Sequence, residues 1–284
     1  MKEGQQARNR SLPEMRTPGI VEDFTSWPGP GWQIMARGQG TVASTGSSLL
    51  LATKDAMARA YSNAQVDDYE NRSRHDFLWR PPLVFSVRAR FSHTQSNLAP
   101  RTSPALLGTA GFGFWNDPFL MTGLRSPALP RAIWFFYASP PSNMKLDLET
   151  PGWGWKAATI DAARWQAAAL LVLAPLAVPL FNVAAFYRRV WPRAQRILRI
   201  CEASLGVPMD AWHTYVIEWN VASCRFLVDG TVVLTSSTAP KGPLGLVLWI
   251  DNQYLVATPW GTLRSGLLDI GGTQGLELAD LRIG

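Results

Sequence analysis

The segment Leu83–Phe91, LVFSVRARF, constrains the fold more than any other stretch of the chain. Leu83, Phe85, Val87, Ala89 and Phe91 alternate with Val84, Ser86, Arg88 and Arg90. A period of two belongs to a strand with one core face and one wetter face, whereas a helix would scatter that apolar set around its circumference. Strand-length runs recur on either side, at 42–44, 48–52, 60–66, 111–115 (GFGFW) and 132–137 (AIWFFY). After residue 208 the pattern resumes with 212–219 (WHTYVIEW), then 225–228 leading through Asp229-Gly230 into 231–234. Asp-Gly between two apolar runs is a strong hairpin signal. GLVLWID at Gly245–Asp251 and LELADLRI at 276–283 close the chain. Asn116-Asp117-Pro118, Ala138-Ser139-Pro140-Pro141 and Thr150-Pro151-Gly152 mark turns between the runs. Many short strands at this spacing predict an all-β, two-sheet sandwich.

Composition removes the competing classes. A hydrophobic content of 47% excludes a disordered chain, two cysteines exclude a disulfide framework, and 21 Pro with 23 Gly exclude a long coiled coil. At 284 residues, the chain suits one sandwich domain over 21–284 behind a flexible extension at 1–20. That extension is polar and lacks the apolar stretch of a secretory signal, which predicts a cytoplasmic chain. Cys201 and Cys224 are read as free thiols.

One region, at about 157–207, breaks the strand pattern and is read as a helical insert rich in Ala, Leu and Arg. Residues 167–187 carry no charge, long enough for a membrane span, but Pro175 and Pro179 interrupt them. The prediction is two helices with a Pro-broken connection, the second at 183–203 with Arg189, Arg193 and Arg196 along one face. Six arginines and one acid between residues 159 and 200 give this insert +5 of the chain's net +6. Basic residues that adjoin a greasy run do not form a nucleic-acid footprint. The plainer reading packs the insert on the sandwich. The sharper one makes 163–200 a lid over an apolar ligand, or a peripheral membrane contact whose arginines address anionic head groups.

The inventory for catalysis is thin. His75, His93 and His213 are widely separated, with no zinc-type spacing, so no metal or cofactor is expected. There is no Gly-x-Ser-x-Gly elbow, and Gly111-Phe112-Gly113 leads into an aromatic strand where a phosphate loop would need a helix.

The run 212–219 followed by Phe226-Leu227-Val228-Asp229-Gly230 resembles the F-H-T-Y-x-x-E-W … V-D-G stretch of family-16 glycoside hydrolases, laminarinase-like members of the concanavalin A-like lectin/glucanase superfamily. Glu22-Asp23-Phe24 with Trp32 and Ser48-Leu49-Leu50-Leu51 is similar to that superfamily's opening strands, Leu83–Phe91 to its v-x-a-R-f strand, and 278–283 to its closing strand. The resemblance covers about 20–156 and 207–284 and implies a jelly roll of two curved antiparallel sheets, with the helical insert lacking a counterpart. Hydrolysing members carry Glu-x-Asp-x-(x)-Glu on the strand after an aromatic-rich one. Here those positions fall on Ala132, Trp134 and Phe136 or Tyr137, so the catalytic residues of the family are missing.

The resulting expectation is a non-hydrolytic domain that binds a carbohydrate or an apolar small molecule in its concave face. Trp115, Asn116, Asp117, Trp134, Phe136, Trp249, Asp251 and Asn252 are the cleft candidates; core packing for the rings and turn formation for the polar residues are the plainer readings. The alternatives are a glycoside hydrolase-like enzyme using Asp117, Glu218 or Asp251, and a membrane-surface protein docking through its arginines.

Overall fold

The computed structural model describes residues 19–95, 104–118 and 126–284; most of the expected N-terminal extension lies outside them. The first half of the chain forms β1 (Ile20–Glu22), β2 (Gln33–Arg37), β3 (Gly40–Ser44), β4 (Leu49–Lys54), β5 (Asn63–Asp67), β6 (Leu83–Phe91), β7 (Thr109–Trp115), β8 (Arg131–Ala138), β9 (Asn143–Met144) and β10 (Gly154–Asp161). Helices α1 (Trp165–Leu180) and α2 (Ala184–Leu198) follow. The second half adds β11 (Ile200–Ser204), β12 (His213–Trp219), β13 (Cys224–Val228), β14 (Thr231–Ser236), β15 (Gly245–Asp251), β16 (Gln253–Ala257), β17 (Leu263–Leu267) and β18 (Thr273–Ile283).

Two antiparallel sheets pack face to face. One runs β14-β13-β12-β6-β18-β4-β3 with β1 beside β18, and the other runs β11-β10-β8-β7-β15-β5-β2. The alternation in β6 does what its sequence demands: Phe85, Val87 and Ala89 are fully buried, while Val84, Arg88 and Arg90 face outward. Between the sheets, Trp155 meets Phe91, Phe112 and Tyr215 edge-on at 5.2–5.7 Å, and Phe135 packs on Tyr215 and Phe226. Such edge-to-face contacts add to the burial of each large ring. Asp229-Gly230 turns β13 into β14 with both residues at positive φ, which Asp tolerates and Gly adopts freely.

The helical region is shorter than its composition predicts. Residues 157–161 and 200–204 belong to β10 and β11, a ladder from Lys156↔Ser204 to Ile160↔Ile200, and both helices sit at the tip of this hairpin. Helix α1 runs through Pro175 and Pro179, and α2 ends at Leu198, not 203. Arg199 there turns left-handed, its N–H bonding back to the Arg196 and Gln195 carbonyls. Alanines 157, 158 and 203 read as helix from propensity alone; ladder pairing and burial override that preference. Arg131, Arg164 and Arg199 surround Asp161 at 3.0, 3.7 and 3.9 Å, so two of the six insert arginines pair with this acid. Cys201 and Cys224 are free and lie in different sheets.

Candidate functional site

Residues of β8 alternate between two fates. Ile133, Phe135 and Tyr137 point into the sandwich core, which turns Ala132, Trp134 and Phe136 onto the opposite, cleft face of the seven-stranded sheet. There they join Trp115 of β7 and Trp249 of β15 in a continuous aromatic floor. Trp134 stacks on Phe136 at 5.3 Å and lies 5.6 Å from Trp249 and 5.8 Å from Trp115. Two glycines make room for these rings. A Cβ on Gly111 would meet the Phe135 carbonyl and come within 2.8 Å of the Trp249 ring, and one on Gly113 would reach 2.6 Å from Trp134 Cα.

A second layer closes over the floor. Strands β17, β16 and β9 form a small sheet, with β16 pairing antiparallel to β17 and, through Val256↔Asn143 and Ala257↔Met144, parallel to β9. Between floor and flap lies a cavity of about 600 Å³, whose roof includes Met144, Leu146, Leu255, Leu263 and Leu267. That volume is within the usual range for a small-molecule site. The helical insert braces the flap from outside. Trp191 Nε1 donates to the Leu146 carbonyl at 3.1 Å, and the Tyr187 ring meets Trp260 edge-on at 5.5 Å.

Of the residues singled out in the sequence, Trp115, Trp134, Phe136, Trp249 and Asp251 line this cavity. The other three polar candidates do not, because their groups are engaged in loops. Asn116 Oδ1 accepts from Arg131 N and its Nδ2 donates to the Leu129 carbonyl. Asp117 is fully buried at φ 44°, with its carbonyl accepting from Arg74. Asn252 Nδ2 donates to the carbonyls of Met57, Ala60 and Leu268 while its Oδ1 accepts from Ser62 N, tying three segments together. Arg189, Arg193 and Arg196 are exposed on α2 and are not among the residues that line the cavity. Glu218 belongs to the other sheet and pairs with Arg225 at 2.9 Å.

Two sets of charged and polar groups on the cavity wall stand out. In one, the Asp251 carboxyl accepts from the Thr109 hydroxyl at 2.9 Å and from Gln253 N at 3.0 Å; complete burial pushes its pKa up to about 6 despite these bonds. In the other, Lys156 of β10 and Glu202 of β11 form an ion pair at 3.2 Å, with side-chain exposures of 4% and 2%. Burial lowers the Lys156 pKa and raises that of Glu202, each countered by the partner's charge, and Asp147 nearby pushes Glu202 further up. Neither residue stands out in the sequence. The signal was a lone lysine inside the aromatic run GWGWKAATI, opposite Phe136 of β8.

Among the described residues, the β8 positions that would carry the carboxylates of glycoside hydrolysis hold other side chains. Ala132, Trp134 and Phe136 present no acid on β8, and Tyr137 faces the core. Asp251 and Glu202 are four strand steps apart, roughly 19 Å at about 4.8 Å per step. Asp67, opposite Val247, is displaced about 13 Å along the strand from Asp251. These separations exceed the roughly 5–10 Å that retaining or inverting chemistry uses. Among the described residues no group of three or more His, Cys, Asp or Glu is placed to share a metal ion.

The two sheets and the cleft between floor and flap define a concanavalin A-like lectin/glucanase fold. Among solved structures, it is similar to a glycoside hydrolase family protein from Mycobacterium thermorestibile, with a TM-score of 0.53 and 13% identity over 93% of this chain and 99% of that one. It is also similar to the GlcNAcα1-4Gal-releasing endo-β-galactosidase of Clostridium perfringens, with a TM-score of 0.50 and 12% identity over 93% of this chain and 61% of that one. No family model matches the sequence, and no curated protein is significantly similar to it. At such identities the likeness fixes the fold and leaves the chemistry to this chain's own residues.

Proposed function

We propose that the protein binds a small, largely apolar ligand between the aromatic floor and the flap, and does not hydrolyse glycans. The observation that carries this reading is the cavity of about 600 Å³ walled by Trp115, Trp134, Phe136 and Trp249 below and aliphatic side chains above. Sugar recognition also uses aromatic platforms, but it needs a matching set of polar groups to receive the hydroxyls. Here the Asp251 carboxyl is occupied by Thr109 and Gln253, and the middle of the floor is apolar. The test pairs a titration of N-phenyl-1-naphthylamine with binding and reducing-sugar assays on β-linked gluco- and galacto-oligosaccharides. The expected result is saturable binding of the fluorophore and no released reducing ends. Binding of oligosaccharides without the fluorophore would replace the apolar ligand with a glycan. Turnover abolished by Asp117→Asn or Asp251→Asn would make the protein an enzyme.

A second reading concerns the insert. Helix α1 carries no charged residue, and Trp165 at its start is 77% exposed. On α2, Arg188, Arg189, Arg193 and Arg196 are exposed with no acid on the same helix. An apolar helix beside a basic one suits the surface of an anionic bilayer. Among the described residues no helix is long and apolar enough to cross a membrane. In flotation with phosphatidylserine vesicles, binding is expected to weaken several-fold when Arg189, Arg193 and Arg196 are replaced by Gln, and to weaken with salt. Equal flotation of the variant, or none by the wild type, would remove this contact.

A further inference from the structure

The ion pair on the cavity wall has hydrogen-bonding capacity that the protein leaves unused. Lys156 Nζ, a donor of three hydrogens, has one protein partner among the described residues, Glu202 Oε2. Glu202 Oε1 is buried without any partner among them. Burying two charges is costly unless their remaining bonds are satisfied, and apolar residues of similar size would commonly serve stability as well or better. The pair sits beside the aromatic floor. Lys156 lies opposite Phe136 in the β10–β8 ladder, and Glu202 faces Ala158, whose other neighbour is Trp134. Both side chains line the cavity.

We propose that Lys156 and Glu202 bind a neutral head group that both donates and accepts, a hydroxyl or a primary amide, at one end of an otherwise apolar ligand. The head group donates to Glu202 Oε1 and accepts from Lys156 Nζ. A carboxylate head would meet the Glu202 charge and an ammonium head the Lys156 charge, each inside a desolvated wall, so the pair discriminates against both. This inference rests on the apolar-ligand reading above and deepens it.

The experiment displaces N-phenyl-1-naphthylamine from the full-length protein with decanol, decanamide, decanoate and decylammonium. Decanol and decanamide are expected to compete at least tenfold better than either ion, the scale of one charge-assisted hydrogen bond. In the double variant K156M/E202L, which leaves no lone buried charge, the fluorophore still binds and the tenfold preference falls below threefold. E202Q, close in shape to the wild type, serves as a second variant and is expected to reduce the preference; because it leaves Lys156 without its charged partner, its fold is checked by circular dichroism before the competition is read. If the fluorophore binds but the four chains compete equally in the wild type, or if K156M/E202L keeps the preference, the head-group assignment is wrong and the cavity reading stands. If neither the fluorophore nor any chain binds, both fall.

Discussion

Replacing Ala158 with tryptophan is expected to weaken binding of N-phenyl-1-naphthylamine by more than tenfold while the protein stays folded. Ala158 is a small side chain on the cavity wall, between Trp134 on β8 and Glu202 on β11. An indole there projects into empty space over the floor. The usual penalty for enlarging a packed core residue, about 1–3 kcal/mol, should therefore be small, because the added atoms take volume from the cavity. Trp249→Ala is the complementary change. It removes the ring that contacts Trp134 and Phe136 and the Nε1 bond to Thr109 at 3.0 Å. Loss of so buried an indole costs roughly 3–5 kcal/mol of stability and disorganises the floor, so binding weakens through the scaffold. Binding and thermal melts of both variants separate the two effects. Ala158→Trp with unchanged affinity would place the ligand elsewhere on the molecule.

The contrast between these two positions shows how much of the site could be read in the chain. The alternation in AIWFFY is enough to place Trp134 and Phe136 on one face and Ile133 and Phe135 on the other, because a sandwich strand has one core side. GFGFW is readable in the same way once its neighbours are known. Phe112 and Phe114 fill the core, while Gly111 leaves room for the Trp249 ring from β15 and Gly113 for the close approach of Trp134 on β8. Asp117 and Asn252, both at strand ends, look like cleft groups in the sequence. The structure uses Asn252 to hold loops, a duty that spacing cannot distinguish from recognition. The flap left no trace. Neither β16, half-buried along most of its length, nor β17, exposed over its first three residues, alternates between buried and exposed positions, so they lack a period-two signature, and the two-residue β9 pairs in parallel across more than 100 residues of chain. Lys156 and Glu202 were hidden because β10 and β11 become neighbours only when the helical insert between them is folded out of the ladder. Local composition spoke for a helix there, and tertiary pairing decided otherwise.

The protein is expected to lose stability as pH rises from about 4 to 7, and Asp68 is the main reason. Its carboxyl accepts from Trp79 Nε1 and from Leu246 N, joining β5 to the ends of the Trp79–Leu244 bridge and β15. Burial pushes its pKa from 3.8 up to about 7; the bonds from Trp79 and Leu246 oppose this without cancelling it, and the Asp67 charge adds to it. The folded chain therefore keeps a proton that the unfolded chain gives up near pH 4, so the native state binds more protons throughout that window and stability falls with pH. The fall begins as pH passes the unfolded value and is complete above about 7. At about 1.4 kcal/mol per unit of pKa, Asp68 alone accounts for on the order of 3 kcal/mol between pH 5 and pH 8. Asp251, raised to about 6, acts in the same direction over the lower part of that range. His93, held below its usual value by burial, acts in the opposite direction near pH 6. Asp68→Asn removes the ionisation but leaves a single acceptor for two donors, at a cost of about 1–3 kcal/mol. The two stability curves should therefore cross: the variant is weaker than the wild type at pH 5 and equal or stronger at pH 8. Urea denaturation at the two pH values reads this directly, and parallel losses in wild type and variant would assign the pH dependence to other groups.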